Sequence, residues 1–179
     1  MKRFILILIT SLVAMTQASA MQAATDNDFV ARMMKQINSR PSSYDASDYK
    51  QITVSPTMMQ SVLEMLASAD MSEAQDKEIV SKLLHSVKSL RIFIASDNIN
   101  AYQTLVNKVI QDNKKIYRKF KSPKASDNNA HIWTRQAGGK VIEIIALLDR
   151  DDKNPQMRIL NLTGEFNDEF INLLVKMPN

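Results

Sequence analysis

The sequence predicts an α+β fold in which an antiparallel β-sheet meander carries helices packed mainly on one face, in two layers. Up to Lys114 most apolar residues recur at helical spacing, whereas beyond it they alternate as in strands. Short connections such as Gly138-Gly139 suit antiparallel neighbours. The run Lys140–Asp149 is apolar on both faces apart from Glu143, which indicates a strand at the centre of the sheet.

The N-terminus has the pattern of a secretory signal peptide. Lys2 and Arg3 precede an apolar run of about a dozen residues, and Ala18-Ser19-Ala20 closes the segment. The run is shorter than the roughly 20 residues that span a membrane, so no transmembrane segment is expected after cleavage. The predicted organisation is a signal peptide at 1–20, an N-terminal helix and linker at 21–48, and a single α+β domain at 49–179. Export to the periplasm or the extracellular space is expected.

Charge and cysteine content exclude several classes of protein. The chain has 23 Lys and Arg against 19 Asp and Glu, a formal net charge of +4. Removal of Lys2 and Arg3 with the leader leaves 21 cations against those 19 anions, so nucleic acid is not an expected partner. Because the chain has no cysteine, it cannot form a disulfide, a thiolate metal site or a lipidated-cysteine anchor. The exported protein is therefore expected not to be lipid-anchored.

Apolar stripes at helical spacing predict four helices in the first part of the chain. They lie at Asp26–Ile37, after Ser55-Pro56, from Ser72 to Val87, and from Ile99 to Ile110. Polar residues precede them as candidate N-caps, with Thr25 or Asp26 before the first helix. The intervening segments Tyr49–Val54 and Lys88–Ala95 are predicted strands, the second with alternating inward-facing residues.

The second part of the chain is predicted as a meander closed by a helix. Four successive strands are expected at Ile116–Lys121, Ala130–Ala137, Lys140–Asp149 and Gln156–Leu162. Gly164 follows them, and we expect it in a turn with positive φ. Asn167 or Asp168 is then expected to cap a helix that buries Phe170 and Ile171.

The densest charge feature is the basic stretch 114–124. Its Lys and Arg residues are interleaved with aromatic ones, a pattern that suits an anionic polymer, phospholipid headgroups or an acidic partner. Lysines on an exposed strand also discourage edge-to-edge aggregation, which is the alternative explanation. For Trp133 in the following strand, the alternative is packing under a helix. The candidate interaction surface consists of Lys114, Lys115, Tyr117, Arg118, Lys119, Lys121, Lys124, His131, Trp133 and Arg135.

No catalytic constellation or cofactor motif is visible, so the sequence predicts a protein that is not an enzyme. His85 and His131 lie on different elements, and H-E-x-x-H, G-x-S-x-G, P-loop and G-x-G-x-x-G patterns are missing. The segment Asp149–Asn154 resembles half of a calcium loop but lacks the central glycine and distal glutamate of an EF-hand. No catalytic, cofactor-binding or metal site is therefore predicted, and no cofactor is expected.

The chain resembles a Bacteroidetes family of small exported proteins that is classed as a domain of unknown function. The resemblance covers roughly Asp26 to the C-terminus and rests on the order of the parts. These are the signal peptide, the helix after Ser55-Pro56, the strand Leu90–Ile94, the Gly138-Gly139 hairpin with Val141–Leu148, and the segment Ile159–Phe166. The family implies no established activity, ligand or catalytic residue. Some members lie near envelope-stress sigma and anti-sigma genes, which implies a regulatory or envelope role.

The function expected from the sequence is that of an exported, non-enzymatic interaction or regulatory domain of the bacterial envelope. The sequence identifies no partner, and an envelope protein is one candidate. One alternative is a binder of anionic surfaces or polymers through 114–124, whose binding would weaken with salt. The other is an unrecognised hydrolase, which would need paired carboxylates from distant positions to meet in a pocket.

Overall fold

The computed structural model describes residues 27–54, 57–59, 61, 85–120, 131–148, 156–168 and 170–171. Its helices are α1 (Phe29–Asn38) and α2 (Ile99–Asp112), with a 3₁₀ turn at Pro41–Ser43. Its strands are β1 (Tyr49–Val54), β2 (Val87–Ala95), β3 (Tyr117–Lys119), β4 (His131–Ala137), β5 (Lys140–Leu148) and β6 (Met157–Phe166). Residues 57–59 and 170–171 are also helical. The predicted signal peptide and most of the two helices predicted between 55 and 86 fall outside the described residues.

The strands form one antiparallel sheet in the order β1-β2-β6-β5-β4-β3. Because β3, β4, β5 and β6 pair successively along the chain, the predicted meander is confirmed. β6 then pairs with β2, and β2 with β1. The α+β class is confirmed, β5 is interior as predicted, and β1 and β3 are the edge strands.

Both long helices pack on the same side of the sheet, which we call the helix face. The apolar stripe of α1 faces the sheet, as its helical spacing predicts, and α2 lies beside it. The buried residues of this face are Phe29, Val30, Met33, Ile37, Phe93, Ala95, Tyr102, Leu105, Val106, Val109, Ile110, Tyr117, Ile145, Met157 and Ile159. The expectation of helices mainly on one face holds for these two, and α1 is an integral part of the core.

The opposite face of the sheet carries a second apolar cluster. Its sheet residues alternate with those of the helix face, so Ile92 and Ile144 point here while Phe93 and Ile145 point to the helices. Met59 and the helical residues 170–171 contribute side chains to this cluster. The sheet therefore has a buried apolar cluster on each face. The prediction of two layers places packing mainly on one face.

A tight hairpin joins β4 to β5 at Gly138 and Gly139. Both glycines have positive φ, 57° and 78°, which is the geometry that a two-residue turn of this twist requires. Beyond the turn, a register irregularity between Val141 and Glu143 indicates a β-bulge. Strict alternation along β5 would put Val141 on the helix face with Ile145, but the bulge puts it in the cluster of the opposite face.

Gly164 lies inside β6, not in a turn. The prediction of positive φ at this position was wrong, because β6 extends to Phe166 and pairs through Gly164 with Val87 of β2. A Cβ at Gly164 would lie 2.0 Å from the backbone oxygen of Ser86. Glycine is therefore required here for close approach of two backbones.

The helix ends agree with the sequence in part. Asn167 accepts a hydrogen bond from the Phe170 amide at 2.9 Å, as its predicted capping role requires. The cap of α1 is Asp28, which accepts from the Ala31 amide at 2.8 Å, so the predicted start at Thr25 or Asp26 was wrong.

Candidate functional site

The edge strand β3 presents a cluster of exposed cations. Lys114, Lys115, Arg118 and Lys119 are all exposed, in the turn that leaves α2 and in the strand itself. Between them lies Ile116, the one large apolar side chain of the described residues with substantial exposure, at 37%. We call these five residues the basic edge. Its composition, several cations around one apolar contact, suits an anionic surface with some apolar character.

A depression of about 280 Å³ adjoins the basic edge. Another, of about 410 Å³, is open and shallow and lies away from the basic edge, against the loop at Pro41–Asp48. The depression beside the basic edge is lined by Lys115, Ile116 and Arg118 of that edge, and by Gln136, Ala137 and the Gly138-Gly139 turn. Because the glycines carry no side chain, nothing fills the space beside the turn. The site can therefore receive a protruding acidic group beside exposed backbone.

The structure separates the residues of the predicted interaction surface. Tyr117 is buried in the helix face with its ring edge-on to Phe29, at 5.6 Å between centroids, so it does not contribute to an exposed surface. Trp133 is half-buried against the helix-face cluster, the packing alternative. His131 is exposed beside it, with ring centroids 6.0 Å apart. Lys121 and Lys124 fall outside the described residues.

Arg135, a residue of the predicted interaction surface, instead forms an ion pair with the buried carboxylate of Glu143. Its Nε donates to Glu143 Oε2 at 2.6 Å, and its side chain is only 22% exposed. The Glu143 side chain has no exposure at all. Its other oxygen accepts from the Phe29 amide at 2.6 Å and from Asn161 Nδ2 at 2.9 Å. This carboxylate therefore joins β4, β5, β6 and the first turn of α1.

A second buried ion pair fixes the same end of α1. Asp28 Oδ2 lies 3.1 Å from Arg91 Nε, and both side chains are buried. The Val30 amide donates to Asn161 Oδ1 at 3.2 Å. Charge balance holds, with two carboxylates facing two guanidinium groups, and the helix dipole favours carboxylates at this end. We call Asp28, Arg91, Arg135, Glu143 and Asn161 the polar cluster.

The polar cluster also shapes its surroundings. The Tyr117 hydroxyl lies 3.5 Å from Glu143 Oε2. Burial and the Glu143 carboxylate raise the pKa of Tyr117, which therefore stays protonated well above neutral pH. Ser89 and Thr163 are paired across β2 and β6, and their buried hydroxyl oxygens have no hydrogen-bond partner among the described residues.

The chemistry open to these groups is limited by their burial. Glu143 is enclosed by donors, so its carboxylate is positioned for structure and not for attack on a substrate. No group of three or more His, Asp or Glu side chains that could bind a metal ion occurs within the described ranges. Among the helices of that part of the chain, none is long and apolar enough to cross a membrane.

A family profile described as a domain of unknown function, DUF4252, matches residues 43–174. The chain belongs to this family. The match includes every strand of the sheet and the whole basic edge, whereas α1 lies before it. Comparison with curated proteins and with solved structures finds no match. Family membership assigns no activity to the chain.

The sequence located the basic edge but missed the polar cluster. Glu143 was visible only as an exception in an apolar strand, and that exception was the available signal, because a charge at an interior strand position needs a partner. Its partners come from α1, β4 and β6, more than a hundred residues apart at the extreme. Hydrophobic periodicity carries no information about such pairing.

Proposed function

We propose that this chain is an exported, non-enzymatic interaction domain of the cell envelope, and that its basic edge binds an anionic partner. The observation that carries the proposal is the exposed cluster of Lys114, Lys115, Arg118 and Lys119 around Ile116 on an edge strand. The predicted leader at 1–20 supports the compartment.

The exposure of these cations distinguishes them from the two arginines of the polar cluster. Arg91 and Arg135 are paired with carboxylates inside the polar cluster, so their charges are neutralised within the fold. The side chains of the basic edge extend into solvent, where they raise the encounter rate of an anionic partner and are screened by salt.

Protection of the sheet edge is the competing role for these lysines. That role needs charge repulsion between copies and no partner. It does not require the apolar Ile116 or the adjoining depression, and a binding surface uses both. Replacing two of the four cations by glutamate separates the two roles, because charged side chains still interrupt the edge strand but the net positive charge that attracts anions is lost.

A capture experiment from solubilised native envelopes tests the proposal. The bait is the processed chain 21–179, compared with a Lys115→Glu, Arg118→Glu double variant. The matched control carries Lys35→Glu and Arg40→Glu, the same charge change at exposed positions on and after α1. We expect the control to capture the same anionic partner as wild type and the double variant to lose it.

Vesicles of phosphatidylglycerol serve as the lipid arm of that experiment. Co-sedimentation with them, lost in the double variant and kept in the control, would place the partner among anionic lipids. Capture of a specific acidic protein by wild type and by the control, but not by the double variant, would show that the partner is a protein. Equal capture by wild type and by the double variant would contradict the proposal.

A further inference from the structure

The two edges of the sheet differ in their protection. β3 is short and flanked by exposed cations, whereas β1 runs for six residues with Lys50 as its one charged residue. None of the described strands pairs with the outer side of β1. Gln51 at its middle is exposed, and Tyr49 and Thr53 are half-buried. A long edge of β-forming residues with little charge is suited to pairing with another strand.

Backbone geometry shows which groups of β1 face outward. The Ser96 amide donates to the Asp48 carbonyl at 2.8 Å, and Asp48 and Ser96 continue the β1–β2 register. Hydrogen-bonded and non-bonded pairs alternate along an antiparallel ladder, so alternate residues of β1 point their backbone groups away from β2. The outward-facing residues are Tyr49, Gln51 and Thr53.

We infer that β1 pairs with β1 of a second copy of this chain, in antiparallel register about a two-fold axis through Gln51. The outward residues are symmetric about this centre. Gln51 would pair with its equivalent, and Tyr49 with Thr53, and each such pair exchanges two backbone hydrogen bonds. The two sheets then continue into one.

Side chains favour this occupant. In the symmetric register Lys50 lies opposite Ile52 of the second copy, so like charges are not opposed across the pair. Tyr49 gains Thr53 as a neighbour on the helix face, an aromatic and β-branched pair of the kind that stabilises sheets. Self-pairing of β3 would instead bring two basic edges together, which charge repulsion opposes.

Cysteine cross-linking tests the register directly, because the natural chain contains no cysteine. Gln51→Cys brings two thiols to a hydrogen-bonded pair whose Cα atoms lie about 5.5 Å apart, within disulfide range. Lys50→Cys is the matched control. In the proposed register residue 50 of one copy and residue 50 of the other are offset by two residues along the strands, so their Cα atoms lie roughly 8 Å apart. Under mild oxidation of the processed chain we expect a covalent dimer of Gln51→Cys and little of Lys50→Cys. Equal cross-linking of both variants, or of neither, would overturn the inference.

Sedimentation of cysteine-free variants gives an independent test. Wild type is expected to dimerise with rising concentration, and Gln51→Lys to do so about two- to fivefold more weakly because like charges meet at the axis. Gln111→Lys, the same change on an exposed position of α2, is expected to match wild type. A mixture of Gln51→Lys with Gln51→Glu should restore association. A wild-type chain that stays monomeric, or a Gln51→Lys variant equal to the Gln111→Lys control, would contradict pairing at β1.

Discussion

Glu143 is the residue on which the interior of the helix face depends. Its carboxylate accepts from Arg135, Asn161 and the Phe29 amide, all within 2.9 Å. Buried charges are tolerated when they are paired and fully hydrogen-bonded. Removing one member of such a pair destabilises the fold, because the remaining groups stay buried without a partner. This side chain is therefore one of the polar links between α1 and the sheet, beside the Asp28–Arg91 ion pair.

We expect Glu143→Ala to lower the free energy of unfolding by about 3–5 kcal/mol, because it leaves Arg135, Asn161 and the Phe29 amide without their acceptor. Glu165→Ala is the control, since Glu165 is exposed and pairs only with surface lysines; its stability should be nearly unchanged. Urea titration followed by circular dichroism measures both. Equal stability of the two variants would show that the buried carboxylate contributes little.

The buried hydroxyl of Tyr102 makes the free energy of unfolding decrease at alkaline pH. Burial raises the pKa of Tyr102 to about 12, and its hydroxyl donates to the Asp45 carbonyl at 3.3 Å. In the unfolded chain a tyrosine has a pKa of about 10. The unfolded state therefore loses its proton first, so this contribution to stability is complete below pH 10 and is lost as the pH rises toward 12.

Replacement of Tyr102 by Phe removes that proton and should make the fall of the urea midpoint between about pH 10 and pH 12 shallower. Tyr117, whose pKa is raised in the same direction, retains part of the fall. A variant whose midpoint falls as steeply as that of wild type would show that Tyr102 is not protected from ionisation.

At the scale of elements, Gly164 controls the contact between β6 and the segment that enters β2. No side chain fits there, because a Cβ would meet the Ser86 carbonyl oxygen. We expect Gly164→Ala to destabilise the protein by about 1–3 kcal/mol, the range of overpacking. Thermal unfolding compared with Ala substitution of the neighbouring exposed Glu165 measures it. A melting temperature equal to the control would show that the backbones separate without cost.

The hairpin and the helices show how far local patterns extend. Gly138-Gly139 specified its turn in the sequence, because few other residues adopt positive φ at two successive positions. The bulge at Val141 was not predictable in this way, since it depends on the register with β6. The same holds for Asp28, whose selection as the cap of α1 depends on Arg91 across the core.

For the whole molecule, the fold was accessible from the sequence and the site only in part. The alternating runs after Lys114 predicted a meander, and the apolar stripes predicted α1 and α2. Exposure of the basic edge followed from charge density, but the burial of Tyr117 and the withdrawal of Arg135 did not. Tyr117 lies within the basic stretch and Arg135 is itself charged, so their sequence positions suggest exposure, and only tertiary packing separates them from the surface.

The two edges of the sheet then have different roles in the proposed account. The basic edge at β3 faces an anionic partner, and β1 faces a second copy of the chain. A dimer built through β1 would carry two basic edges at its far ends, because β3 lies at the opposite side of the sheet. Such an arrangement would let one dimer contact two anionic sites, which raises its apparent affinity for a surface that presents many of them.

The salt dependence of binding to immobilised native envelope decides whether the basic edge binds an anionic partner. Affinities of wild type, of the Lys115→Glu, Arg118→Glu variant and of the Lys35→Glu, Arg40→Glu control are measured across a salt series. We expect wild type and control to bind tightly at low salt and to weaken steeply with added salt. We expect the basic-edge variant to bind weakly, with a shallow salt dependence. Binding that is insensitive to salt, or equal slopes for all three chains, would contradict binding through the basic edge.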